Sequence, residues 1–263
     1  MRFRAKNDDQ PVDPGLGFRF GDSGTHTSRT MMLAELTAVL AAVPETAPRQ
    51  AYVEAVVEAN CLSKPTTSTR RRTLKYLTQL YALDPAITIF RVLRRLWDAD
   101  PASHALLALL ATLARDRLVR ATAQTILPLA DGMEMPRKSM AEQLRAAVGE
   151  RLNDDTLDKV IRNAASSWSQ AGHLSGRTFK VRRRVRPTPA AVAFALYLGT
   201  ALGFRGEELL TSGWFKALDC TPSQALDRAI EAKRLGLVDL RVAGGVFDLN
   251  LDRLDPRFAG GAR

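Results

Sequence analysis

Apolar residues recur at every third or fourth position over most of this chain, the spacing that lines one face of an α-helix. The pattern predicts helices over 28–43 (Met31, Leu33, Leu36, Val39, Leu40), 49–59 (Tyr52, Val53, Val56, Val57), 85–97, 101–117 and 118–129. Further helices are expected over 139–148, from Asn153 or Asp154 to near Gly172, and over 190–203, 207–218 and 221–235. Start and stop signals agree with these spans. Pro44 and Pro48 end the first, Asp100-Pro101 is a cap followed by proline, and Ser139-Met-Ala-Glu142 and Thr221-Pro-Ser-Gln224 read as capping boxes. The period changes to two in only two places. Phe179, Val181 and Val185 predict an extended segment or short strand pair. Val238, Leu240 and Val242, a turn at Ala243-Gly-Gly245, then Phe247, Leu249 and Leu251 predict a hairpin. The expected fold is mainly α: a multi-helix globular bundle with helix-turn-helix motifs and a small C-terminal β-hairpin of winged-helix type. Its expected parts are a flexible arm (1–27), an N-terminal helix-turn-helix domain (28–100), central helices with a basic segment (101–187), a winged-helix-like domain (188–252) and a tail (253–263).

One stretch organises the rest. Between Asn60 and Pro65 the helical pattern stops, and it restarts at Thr66 or Thr67, whose hydroxyl can cap a new helix. On that helix Leu74, Leu77, Leu80 and Tyr81 share one arc, while Arg71, Arg72, Lys75, Thr78 and Gln79 share the opposite one. Three helices with a tight break before a basic third one fit a helix-turn-helix, a pattern that ordinary three-helix packing also gives.

Charge sharpens this picture. The chain has 263 residues and a net charge of +10. Residues 64–75 hold five basic side chains (Lys64, Arg70, Arg71, Arg72, Lys75) and 177–186 hold six (Arg177, Lys180, Arg182, Arg183, Arg184, Arg186), with no acid in either window. Without those eleven the chain carries −1, so the excess is local, as a polyanion-binding surface requires. With the hydroxyls of Thr66, Thr67, Ser68 and Thr69 at the helix start, these residues are the expected contacts to nucleic-acid phosphates and base edges.

Other chemistries find little support. Cys61 and Cys220 match no metal-ligand spacing and fit a cytosolic chain with reduced thiols. His26, His104 and His173 pair with no cysteine or carboxylate at ligand spacing and are expected to be surface or partly buried histidines. Gly15-Leu-Gly17 lacks the strand–glycine–helix context of a nucleotide site. No catalytic residue, metal or cofactor is expected. The apolar run over 190–204 is shorter than a bilayer needs, contains Gly199, Thr200 and Gly203, and reads as a buried helix. No apolar signal segment leads the chain, and no membrane partner is expected.

The run Glu58-Ala-Asn60-Cys-Leu62, Thr66 to Thr69, Arg70 to Arg72, Leu77, Leu80-Tyr-Ala-Leu83-Asp84 resembles the BrxA family, a core component of BREX bacteriophage-exclusion systems. The C-terminal Leu235-Gly-Leu-Val-Asp-Leu240 is similar to that family as well, and the resemblance spans about 28–252. It implies a mostly helical protein with helix-turn-helix motifs, double-stranded DNA binding, a place beside a methyltransferase and ATPases in phage defence, and no catalytic residues of its own. The strip over 177–186 matches no motif of the family and rests on charge alone. In outline the fold is also similar to NusB-type helical RNA binders, so RNA stays open as a ligand. Two other readings remain: an adaptor whose basic face meets an acidic protein, and a winged-helix transcriptional regulator.

Overall fold

In the computed structural model, which describes residues 1–5, 12–21, 24–243 and 246–255, the apolar periodicity becomes a mainly helical fold with two short antiparallel strand pairs. The first helices are α1 (Leu33–Ala42), α2 (Arg49–Val57), α3 (Thr67–Tyr81) and α4 (Thr88–Ala99). A 3-10 turn at Pro101–Ser103, capped by the Asp100 carboxylate, leads into α5 (His104–Arg115). Then come α6 (Arg117–Ile126), α7 (Arg137–Val148) and α8 (Asp154–Gln170). β1 (Leu174–Ser175) pairs with β2 (Val181–Arg182), Leu174 facing Arg182. α9 (Pro189–Ala201), α10 (Gly206–Leu210), α11 (Gly213–Lys216) and α12 (Pro222–Arg234) follow, then the hairpin of β3 (Asp239–Ala243) and β4 (Val246–Asn250).

The centre of the molecule is α9. Every residue from Ala190 to Gly199 is buried, because a helix apolar on all sides must be surrounded on all sides. α4, α5, α11 and α12 pack around it, and the buried side chains form one cluster running from Phe3 to Leu254. Thr188 caps its start, with Pro189 at the first helical position, as the sequence predicts. No helix among the described residues is long and apolar enough to cross a membrane.

Three expectations change. The first residues are no loose arm where they are described. Phe3 is buried edge-on against Trp214, with ring centroids 4.9 Å apart, and its carbonyl accepts from Trp214 Nε1 at 3.1 Å. Ala5 N donates to the Leu202 carbonyl and Gly213 N to that of Arg2. Apolar rings on a polar, turn-rich stretch are what anchor it.

That docking also divides the single helix expected over 207–218 into α10 and α11. The backbone of Arg2 and the Phe3 ring occupy the space beside Gly213 where a side chain would stand. The capping box at Ser139 does not form; α7 begins at Arg137, immediately after Met135 is tied to the Lys180 carbonyl at 2.7 Å. Tertiary pairing, not the local motif, sets that start. The box at Thr221 does form, and both its bonds are present. Gly17 has a packing role. It sits at φ 88° after a 3-10 turn, where a side chain would strike Ile87. The Gly244-Gly245 turn lies outside the described residues.

Candidate nucleic-acid interface

The break before α3 is built by left-handed backbone at Asn60 (φ 53°) and Ser63 (φ 50°), with Asn60 Oδ1 accepting from Lys64 N at 2.8 Å. Thr66 is the cap, its Oγ1 accepting from Thr69 N at 3.1 Å and lying 2.9 Å from the Thr69 hydroxyl. Thr73, Leu77, Leu80 and Tyr81 are buried, which fixes the rotation of the helix and turns Arg71, Arg72 and Lys75 to solvent. None of these three has a hydrogen-bond or ion-pair partner among the described residues. Thr67 and Ser68 are also exposed, and Thr69 is half-buried. Beside them the Arg29 guanidinium lies over the Tyr76 ring, 5.2 Å from its centroid. Arg29 carries no sequence signal, because it reaches α3 only through the fold.

The other two basic residues of this window serve the fold. Arg70 turns inward, donating from Nη1 to the Val57 carbonyl at 3.0 Å and from Nε to the Lys64 carbonyl at 3.2 Å. It ties the end of α2 to the turn. Lys64 pairs with Glu35 of α1 at 3.0 Å. Neither is free for a phosphate.

The second window divides in the same way. β2 is flanked on one side by β1 and on the other by 132–135, through Arg182 N to the Met133 carbonyl (2.8 Å) and Gly132 N to the Arg182 carbonyl (3.0 Å). This places the Arg182 side chain inside the protein, fully buried and paired with Asp219. A buried guanidinium needs a carboxylate there. Arg182 therefore cannot touch DNA. Asp219 also receives Arg184 Nη1 at 2.8 Å and Val185 N at 2.9 Å, and Arg183 lies 3.6 Å from Asp131. Arg183 and Arg184 are exposed but already partnered. Arg177 and Arg186, which are exposed, and Lys180, which is half-buried, have no partner among the described residues.

Six cations of the two windows thus remain without a partner among the described residues: Arg71, Arg72, Lys75, Arg177, Lys180 and Arg186. Contacts link the two groups across the start of α1 and the end of α8. Lys64 meets Glu35, Leu33 N donates to Gln170 Oε1 at 3.1 Å, and Arg183 N donates to the His173 carbonyl at 2.9 Å. No family model and no curated protein matches the chain.

Two histidines expected at the surface or partly buried are fully buried. His26 Nδ1 lies 2.9 Å from Asp116 Oδ2, and its Nε2 lies 2.7 Å from Ser167 Oγ. The order Asp–His–Ser matches a hydrolase relay, but the setting does not. Ser167 Oγ accepts from Met31 N at 2.8 Å and donates to the Asn163 carbonyl at 3.0 Å, and all three side chains are sealed from solvent. A nucleophile needs a path to its substrate, whereas this chain of bonds ties residues 25–31 to α6 and α8. Separations of about ninety and fifty residues kept it out of reach of any local motif. The thiols are also unsuited to attack. Burial raises the pKa of Cys61 and pushes that of Cys220 up to about 12, with Asp219 adding to the latter. Among the described residues no cluster of His, Cys, Asp and Glu could hold a metal.

His173 lies under the ribbon, its Nε2 2.9 Å from the Ala217 carbonyl. Burial depresses its pKa to about 4. The folded value is below the unfolded one, so the stability held by the neutral ring is complete above about pH 6.5 and is lost as pH falls towards 4. Unfolding in urea should therefore become easier by about 3 kcal/mol across that window. The variant His173→Gln should show a flattened slope over the same range; an unchanged slope would mean the ring is solvated. Asp116 acts in the same sense at lower pH. Burial opposes its ionisation, but His26 and the backbone N–H groups of Val119 and Thr25 outweigh this and hold the carboxyl below its usual value.

Proposed function

We propose that this protein is a non-catalytic double-stranded DNA-binding subunit that engages the phosphate backbone through α3 and extends the track along the 177–186 ribbon. The observation that carries the reading is the outer face of α3. Arg71, Arg72 and Lys75 stand exposed there, unpartnered among the described residues, beside Arg29 on Tyr76, while Thr73, Leu77, Leu80 and Tyr81 lock the opposite face into the core. A fold that only needed solubility would gain nothing from concentrating cations of one sign on one helix. The resemblance of residues 58–84 to the BrxA family supports reading such a subunit as part of a BREX-type phage-defence system, beside a methyltransferase and ATPases.

Fluorescence anisotropy on a random duplex across a salt series tests this. With six available cations, log K should fall against log salt with a slope of about −5, near 0.9 per phosphate contact. Comparable affinity for random and A·T-rich duplexes is expected, since phosphate contacts carry no sequence. Absence of binding at low salt, with capture of an acidic protein that survives nuclease, would replace DNA by a protein partner. Tighter binding to structured RNA than to duplex DNA would move the reading to RNA.

A further inference from the structure

Phe179 is the most exposed large apolar side chain among the described residues, with 67% of its surface in water. A single exposed apolar residue is ordinary; the mounting of this one is not. It stands in the turn between β1 and β2. At Gly176 (φ 100°) the Phe179 carbonyl fills the space of a side chain, so the turn requires glycine there. The base of the turn is held on both sides. Ser175 faces Val181, and Met135 N donates to the Lys180 carbonyl at 2.7 Å. Beneath it lies the buried Arg182–Asp219 pair. The ring is therefore carried at the tip of a fixed ribbon. Arg177 and Lys180 flank it without partners among the described residues, Arg186 follows, and no acid occurs from His173 to Arg186. On the neighbouring segment the acids are Asp131, engaged by Arg183 and Arg184 N, and Glu134.

An apolar ring between two cations suits a duplex groove better than open water. The cations match phosphates on either strand, and the ring, with no donor or acceptor, meets only the faces or edges of bases. We propose that the 176–180 turn is a groove-inserting tip, in which Arg177 and Lys180 hold phosphates and Phe179 wedges against a base step, partly unstacking it. This rests on the DNA reading above and adds a specificity device to it. A wedge without hydrogen-bonding groups reads deformability, so it should favour easily unstacked pyrimidine–purine steps such as TA over stiff A-tracts.

The test compares wild type, Phe179→Ala and Phe179→Trp on duplexes carrying 2-aminopurine beside a central TA step. Wild type should raise 2-aminopurine emission on binding. Phe179→Ala should lose that rise and bind about tenfold more weakly, the scale of one lost ring–base contact. Its salt slope and melting temperature should be unchanged, because no phosphate contact or buried group is removed. Trp97, Trp168 and Trp214 are buried, so the exposed indole of Phe179→Trp reports separately and should be quenched by bases on binding. If wild type binds with no 2-aminopurine rise and Phe179→Ala binds equally well, the wedge is wrong and the DNA reading stands. A shift in salt slope for Phe179→Ala would likewise overturn the wedge, since the ribbon itself would have moved. If wild type binds no duplex at low salt, both fall together.

Discussion

Changing Arg71, Arg72 and Lys75 together to alanine should weaken duplex binding by roughly 10²- to 10³-fold at about 0.1 M salt. The same variant should flatten the salt slope by about 2.7, three contacts at about 0.9 each. The size follows from counterion release, because each lost cation leaves one phosphate with its condensed ion. Stability should barely move, for the three side chains are exposed, have no partners among the described residues, and sit on a helix that alanine favours. Arg70→Ala is the informative contrast. It removes two bonds to backbone carbonyls, so it should lower stability by about 1–2 kcal/mol and leave the salt slope nearly intact. Wild-type affinity in the triple variant would remove α3 from the interface.

Asp219→Asn is expected to cost about 3–5 kcal/mol of stability, the usual scale for stranding a buried charge. Asparagine keeps the shape and tolerates the left-handed backbone at this position (φ 54°), so the loss isolates the missing charge. The one amide oxygen can keep the two arginines or Val185 N but not both, and Arg182 would stay fully buried with no counterion. Adding Arg182→Met should restore much of the loss, since an apolar side chain needs no counterion there. Thermal melts of the two variants decide it. A single variant that melts within a few degrees of wild type would mean that water reaches the pair.

The helices were legible where local chemistry and packing agree. Thr66, Thr188 and Thr221 cap where their sequence places them, and the apolar run after Pro189 is buried all round. Sequence reading failed where distant segments decide. Gly213 lies where residues 2–3 cross the chain, and the Ser139 motif yields to the pairing of Met135 with Lys180. The basic windows were found, but a window reports charge without direction. Helical phase separated Arg71 and Arg72 from the core, yet it could not show that Arg70 would reach back to Val57. In the ribbon, alternation grouped Phe179 with Val181 and Val185 in one extended segment or short strand pair, whereas the turn projects the Phe179 ring outward and β2 buries Arg182. No spacing rule foresees a buried arginine, because its partner Asp219 comes thirty-seven residues later.

The docking of Phe3 bears on how the chain reaches this shape. Trp214 Nε1 donates to a carbonyl 211 residues earlier, and the Gly213–Arg2 bond spans the same distance. During synthesis the segment around Phe3 must wait with its ring exposed until Trp214 has left the ribosome. Closing such a long span comes late and slowly compared with the neighbouring helices, which form from nearby partners. Until then, α10 and α11 lack the wedge that separates them, and the aromatic residues of the first segment are open to chaperones and proteases.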